Sequence, residues 1–176
     1  LRSRKIAGVT STLLDFYRGR GVDAAGRTIE DIWAWDHRRL EMVHDYIQWL
    51  FPLPAPSRFN PAAPLLSAAD IAAFREDADL RARASRSLDL MLAFYGLEHR
   101  EGAVVRRTAF GVAPGWVEPL NHNHLRLTRI MSFLRYIGLK APADALLACL
   151  EDIAAHEGAA AISPETLAFW RASKDV

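Results

Sequence analysis

The chain has 176 residues, 51% of them hydrophobic and 24% charged, the balance of a soluble globule long enough to bury a core of its own. A formal net charge of +1 excludes a global electrostatic pull toward nucleic acid or a membrane surface. One cysteine, Cys149, excludes an internal disulfide, and no apolar run approaches the ~18 residues that a membrane span needs.

In chain order, Ile6, Val9, Leu13, Phe16 and Tyr17 recur at helical spacing and predict a first amphipathic helix behind a basic tip of Arg2, Arg4 and Lys5. Gly19 and Gly21 end it. Thr28 and Asp31 stand at capping-box spacing and open a short turn carrying Ile32, Trp33 and Trp35, aromatic plugs for the core. Asp36 is an N-cap for the next run. In that run Leu40, Val43, Ile47 and Leu50 recur at steps of three and four, so the spacing predicts one helix that ends where Pro52 bars its continuation. Its other arc carries Glu41, Asp45 and Gln48, with His44 inside the apolar stripe and Tyr46 and Trp49 on the flanks. Aromatics around a polar arc predict a helix covered on most sides, the central helix of the fold.

Five of the nine prolines then fall between Pro52 and Pro64. They alternate with Phe51, Leu53, Phe59, Leu65 and Leu66, which predicts an extended strap across the helices, with Asn60 as a turn residue before Pro61. Ser67 and Asp70 begin another helix, and the apolar stripe changes phase across residues 75–79, predicting two helices or a kinked one up to Gly96. Arg81, Arg83 and Arg86 read as a solvated face. From His99 to Pro119 the chain reads as a loop, in which Val104 and Val105 lack a convincing strand partner. Asn121 or Asn123 caps a helix through Leu127, Ile130, Leu134 and Ile137 that Gly138 ends. Pro142 opens a helix through Cys149, whose surrounding run LLACL marks a buried, inert thiol, and Ser163-Pro164 opens a last short one. The fold class expected is all-α: a single domain, residues 1–176, of about six to eight helices around a central helix, with a proline-rich extended strap.

The chemistry-bearing residues are few. Glu41-x-x-His44 is half of a di-iron helix motif, but no second such pair exists. His122 and His124 stand two apart at a helix start, weak spacing for a metal even with His44 added. No nucleophile elbow, phosphate loop or dinucleotide fingerprint is present, so no catalytic residue, metal or cofactor is assigned. If the arc of Glu41, Asp45 and Gln48 is covered, its groups need partners, and Arg126 and Arg129, three apart on one helix face, are the obvious ones. That arrangement reads either as an ion-pair lattice docking two helices or as a ligand cleft, with Asp45 for a peptide amine and Trp35, Tyr46 and Trp49 for rings. Glu41, His44, Gln48, Asn60, His122, His124, Arg126 and Arg129 complete the ligand-binding candidates.

Several pieces carry a resemblance. HDYIQWLFP at 44–52 followed by PSRFNPAAPLL, with FYRG at 16–19, IWAW at 32–35 and HNHLRLTRIMSFLRYIGL at 122–139, resembles the opioid growth factor receptor conserved region in order and over nearly the whole chain. The resemblance implies a mostly helical domain and, in animal members, a nuclear or perinuclear receptor for an enkephalin-type peptide that restrains proliferation. Those members carry C-terminal repeats, so the expectation for this sequence, which stops at Val176, is the conserved domain alone. No binding residues carry over from the family. Basic residues are almost all arginine, with lysine only at positions 5, 140 and 174, and alanine is abundant, the usage of a GC-rich and hence bacterial coding sequence. The expected function is a non-enzymatic, cytoplasmic, receptor-like module for a peptide or small ligand. The alternatives are a nucleic-acid-associated protein using Arg81, Arg83, Arg86, Arg126 and Arg129, and an enzyme with a site around the central helix.

Overall fold

The computed structural model describes residues 12–108, 115–157 and 159–176. The first half of the predicted opening helix, with Ile6, Val9 and the basic tip, lies outside them. So do Gly111 and Pro114 of the expected loop. The described part of the first helix is α1, Thr12–Tyr17.

At Thr28, Asp36 and Ser67 the capping chemistry forms as the sequence predicts, whereas the helix expected to start from Asn121 or Asn123 has His122 at its N-cap with no side-chain bond. The Thr28 side chain accepts from the Asp31 N–H at 3.1 Å while the Asp31 carboxylate accepts from the Thr28 N–H at 2.8 Å, opening α2, Ile29–Trp33. Asp36 accepts from the Arg39 N–H at 2.8 Å and starts α3, His37–Met42. Ser67 and Asp70 reciprocate in the same way at the head of α5, Ala68–Glu76. Asp77 ends α5 and caps α6, Ala78–Phe94, so the phase slip marks two helices.

Beyond α3 the expected central helix fails. Val43 is extended (φ −95°, ψ 133°), and helical geometry resumes only at α4, Ile47–Leu50. The break lets the Tyr46 ring point fully inward, its hydroxyl donating to Leu40 O at 3.0 Å. An unbroken helix would leave that ring on the flank. The helix covered on most sides is instead α7, Asn123–Tyr136, which buries ten of its residues. Phe133 of α7 meets Phe74 of α5 and Phe51 after α4 with ring centroids at 5.4 and 5.8 Å, and Tyr17 closes on Phe74 at 4.8 Å. Such edge-on aromatic pairs add about 0.5–1.5 kcal/mol each beyond their burial. The Tyr17 hydroxyl donates to Leu50 O, tying α1 to the end of α4, and burial drives both Tyr17 and Tyr46 far above the ordinary phenol range.

The all-α expectation is also corrected. Leu97–Arg100 (β1) and Ala103–Arg106 (β2) form an antiparallel hairpin in the register Leu97↔Arg106 through Arg100↔Ala103, so the fold is mixed α/β and predominantly helical. Glu101 and Gly102 both take positive φ, 52° and 83°, the geometry of a two-residue turn whose twist suits a hairpin. The partner missing for Val104 and Val105 is thus the segment directly before them. The hairpin packs on α6 and on α8, Lys140–Glu157, with Leu97 and Val104 buried. Last comes α9, Pro164–Ala172, capped by Ser163, and a closing 3-10 turn, Ser173–Asp175. Nine α-helices are present among the described residues, above the expected count, because the 40–50 run contributes two.

The proline-rich segment is ordered differently from a strap. Leu53 and Leu65 meet in an isolated bridge, with Leu66 N–H donating to Leu53 O at 3.1 Å. The intervening residues form a lobe closed at its neck, and Phe59 stands 83% exposed at its tip rather than pinned in the core.

Candidate functional site

The break between α3 and α4 determines the site. A helix end leaves carbonyls unsatisfied, and here they face α7. Arg126 of α7, itself buried, donates to Leu40 O and to Val43 O, each at 3.0 Å, and to Asn123 Oδ1 at 3.2 Å and His44 Nδ1 at 3.1 Å. A cation at a helix C-terminus also meets the negative end of the helix dipole. One turn on, Arg129 donates to Phe51 O at 3.1 Å, the carbonyl that ends α4. The two arginines therefore serve backbone carbonyls first; among the described residues Glu41 is the one carboxylate paired with Arg126, at 4.0 Å.

The rest of the polar arc is dispersed. Asp45 pairs with Arg27 at 2.9 Å rather than with either α7 arginine, and Arg27 also holds the buried Asp23 at 2.6 Å. Those two carboxylates raise the Arg27 pKa against the opposing effect of burial. Glu41 accepts from Asn123 Nδ2 at 3.1 Å and meets His122 Nε2 at 3.3 Å. Gln48 is buried, and its amide, in the orientation that satisfies both ends, donates to Asp45 O at 3.0 Å and His44 O at 3.2 Å. Trp35, Tyr46 and Trp49 are core residues: Trp35 lies edge-on to Tyr46 at 5.4 Å and Trp49 edge-on to Phe16 at 5.2 Å. His124 is buried away from this region, its Nε2 donating to Trp116 O at 2.9 Å and its ring 5.6 Å from Trp170. Asn60 sits in the lobe, its N–H donating to Ser57 Oγ at 3.3 Å. Burial lowers the pKa of His124; burial, then Arg126, lowers that of His122.

Five of the sequence candidates do converge. His44, Gln48, His122, Arg126 and Arg129 line a pocket of about 550 Å³, within the range of ligand sites. Ile47 of α4 and Leu53 at the neck of the lobe form its apolar back. Ser57, Arg58 and Phe59 of the lobe face Leu125, Thr128 and Ser132 of α7 across it. Among the described residues no aspartate or glutamate lines it. Sequence reasoning missed the lobe residues because only the closed neck brings them to α7. The α7 wall had a signal: 122, 125, 129 and 132 recur at steps of three and four on one helix face.

The other arginines are spent locally. Arg83 donates to Tyr17 O and pairs with Glu30, Arg81 donates to Phe74 O and Arg75 O, and Arg83 and Arg86 lie over the Trp33 ring at 4.8 and 4.2 Å. They tie α6 to its neighbours, Arg81 and Arg83 half-buried, while Arg86 keeps the exposed position expected of a solvated face. Among the described residues no three His, Cys, Asp or Glu side chains are grouped to hold a metal ion. Among the same residues no helix is long and apolar enough to cross a membrane.

A helix-rich domain with a small hairpin, organised around α7 and carrying a cationic, apolar-walled pocket, is the class that fold and site define. The chain belongs to the opioid growth factor receptor (OGFr) conserved region family, whose model matches residues 10–173. It is 41% identical to the opioid growth factor receptor of Rattus norvegicus over 121 residues, which are 65% of this chain and 21% of that protein. Against the opioid growth factor receptor of Homo sapiens the identity is 36% over 121 residues, 65% of this chain and 18% of that protein. The opioid growth factor receptor-like protein 1 of Xenopus tropicalis is 34% identical over 118 residues, 64% of this chain and 23% of its own length. The chain thus spans about a fifth of the length of these curated relatives. No solved structure matches it.

Proposed function

We propose that this chain is a non-enzymatic, receptor-like module, acting as one domain in the cytoplasm, that holds a peptide in the pocket between the proline lobe and α7. The observation that carries the reading is the convergence of α4, the lobe and α7 on a cavity of ligand size, walled by apolar side chains and fixed by two arginines. Family membership supports it, because the relatives are named as receptors. An enkephalin-type peptide is the first probe. Asp45 is engaged by Arg27, and Trp35, Tyr46 and Trp49 are enclosed, which argues against an amine-and-ring cleft around the break between α3 and α4. The arginines of α6 are held by Glu30, Trp33 and backbone carbonyls, which argues against a phosphate-binding face.

Calorimetry on the full chain tests the reading with the free peptide, its N-acetylated form and a Thr128→Phe protein whose new ring fills the pocket. The expected result is equal binding of free and acetylated peptide, lost in the Thr128→Phe protein at unchanged thermal stability. Absence of binding by either form at millimolar concentration refutes the enkephalin-type ligand. Binding that survives pocket filling refutes the site.

A further inference from the structure

The pocket carries more information than its volume. Its polar groups divide into those already satisfied and those still holding unused donors. Arg126 is satisfied, with both terminal nitrogens engaged by Leu40 O, Val43 O, Asn123 and His44. Arg129 is not: one nitrogen donates to Phe51 O, and among the described residues no carboxylate lies beside the guanidinium. Burial alone depresses its pKa, which is the behaviour of a partly desolvated cation without an anion. Three residues on along the same face, Ser132 is 8% exposed, lines the pocket, and its hydroxyl has no hydrogen-bond partner among the described residues. Across the cavity Ser57 Oγ accepts from the Asn60 N–H and keeps its own proton to donate. A half-buried cation and a neighbouring hydroxyl with donors to spare, both facing the cavity, are groups that a ligand can complete.

The chemistry of the missing group follows. It is an anion, because Arg129 is cationic and, among the described residues, no acid lines the cavity. It carries one charge rather than several, because Arg58 at the lobe is exposed and Arg126 is already filled, leaving one recessed cation. It has an apolar body, because Ile47, Leu53, Leu125 and Phe59 line the rest. Planar carboxylate matches a guanidinium edge in two parallel hydrogen bonds. The Ser132 hydroxyl beside Arg129 suits the same carboxylate, and the Ser57 hydroxyl across the cavity suits an amide group of a peptide, which a bare alkyl chain would leave unanswered.

We propose that this pocket receives the free C-terminal carboxylate of a peptide ending in a large apolar residue, with Arg129 and Ser132 on the carboxylate and that side chain against Ile47, Leu53 and Leu125. The proposal rests on the peptide-binding reading above and states which end of the peptide is recognised.

The test is affinity selection by the intact chain from a library of N-acetylated hexapeptides randomised over their last residues. The library is supplied once as free acids and once as C-terminal amides, with bound species read by mass spectrometry. The expected result is retention of free acids ending in Leu, Met, Ile or Phe and a loss of roughly tenfold or more on amidation. Arg129→Gln should lose the acids to the same extent, while Arg129→Lys and Ser132→Ala keep part of the binding. The acid-to-amide comparison in the unaltered protein stands even if a variant fails to fold. Equal retention of acids and amides, abolished by Thr128→Phe, overturns the carboxylate anchor and leaves the peptide-binding reading intact. Retention of neither library refutes both. Binding of decanoate with no peptide retained assigns the pocket to an alkyl carboxylate and overturns the proposal.

Discussion

Replacing Arg126 by methionine keeps most of the apolar stem and removes the guanidinium that joins α7 to the broken end of α3. The wild-type group makes two bonds to carbonyls, Leu40 O and Val43 O, at 3.0 Å each. Hydrogen bonds to a charged group contribute about 1.5–3 kcal/mol each. Leu40 O keeps the Tyr46 hydroxyl as a donor, so Val43 O bears most of the loss. Against this, methionine removes a desolvated cation whose nearest carboxylate, Glu41, is 4.0 Å away. The balance is a loss of about 2–4 kcal/mol. Arg126→Lys should fall between, since a compact ammonium cannot span both carbonyls. Urea unfolding followed by far-ultraviolet circular dichroism measures the change, provided the slope of the transition is constant. A double-mutant cycle with Tyr46→Phe, which shares Leu40 O, should show coupling of about 0.5 kcal/mol or more. A loss below about 0.5 kcal/mol for Arg126→Met would refute the view that this side chain holds the break in place.

Trp49→Ala should cost about 3–5 kcal/mol in the same assay, because the indole is 7% exposed and stacks edge-on against Phe16; a loss under about 1 kcal/mol would place it outside the core. Glu101→Asn should stabilise by about 0.5–1 kcal/mol, since asparagine tolerates the positive φ that Glu101 adopts in the hairpin turn, and no gain would argue against that turn. The folded-state pKa values of His122 and His124 lie below the unfolded value. Between those values the unfolded chain binds more protons, so stability should rise with pH through the window below about 6.5 and fall on acidification through it. His122→Gln and His124→Gln should each flatten the melting temperature's dependence between pH 7 and 5.5, and an unchanged slope in both variants would refute the assignment.

What the sequence determined is the part governed by physics within a few residues. The caps at Thr28, Asp36, Ser67 and Ser163 close hydrogen bonds to backbone three residues on, so their spacing in the chain is their geometry in space. The same holds for the end of α7 at Gly138, where φ is 87°, and the phase slip across residues 75–79 left only the choice between two helices and a kinked one, which the structure settles at Asp77. In the candidate site, the pairing of Arg126 and Arg129 on one face of α7 was legible for that reason. Their partners were not. Leu40, Val43, Ile47 and Leu50 keep helical periodicity, yet Arg126, more than 80 residues away, satisfies the carbonyls that a break exposes, and Tyr46 gains full burial from it. Periodicity reports which residues prefer the interior and is silent on where the backbone must open to let them in. The hairpin was hidden because its strands are four residues each and its turn uses Glu-Gly in place of the usual Asn-Gly. The lobe was hidden because its closure rests on contact between Leu53 and Leu65, a pairing no local pattern encodes. The pocket inherits all of this: its cations were written on one helix, and its shape exists only once the broken helix and the closed lobe are brought against it.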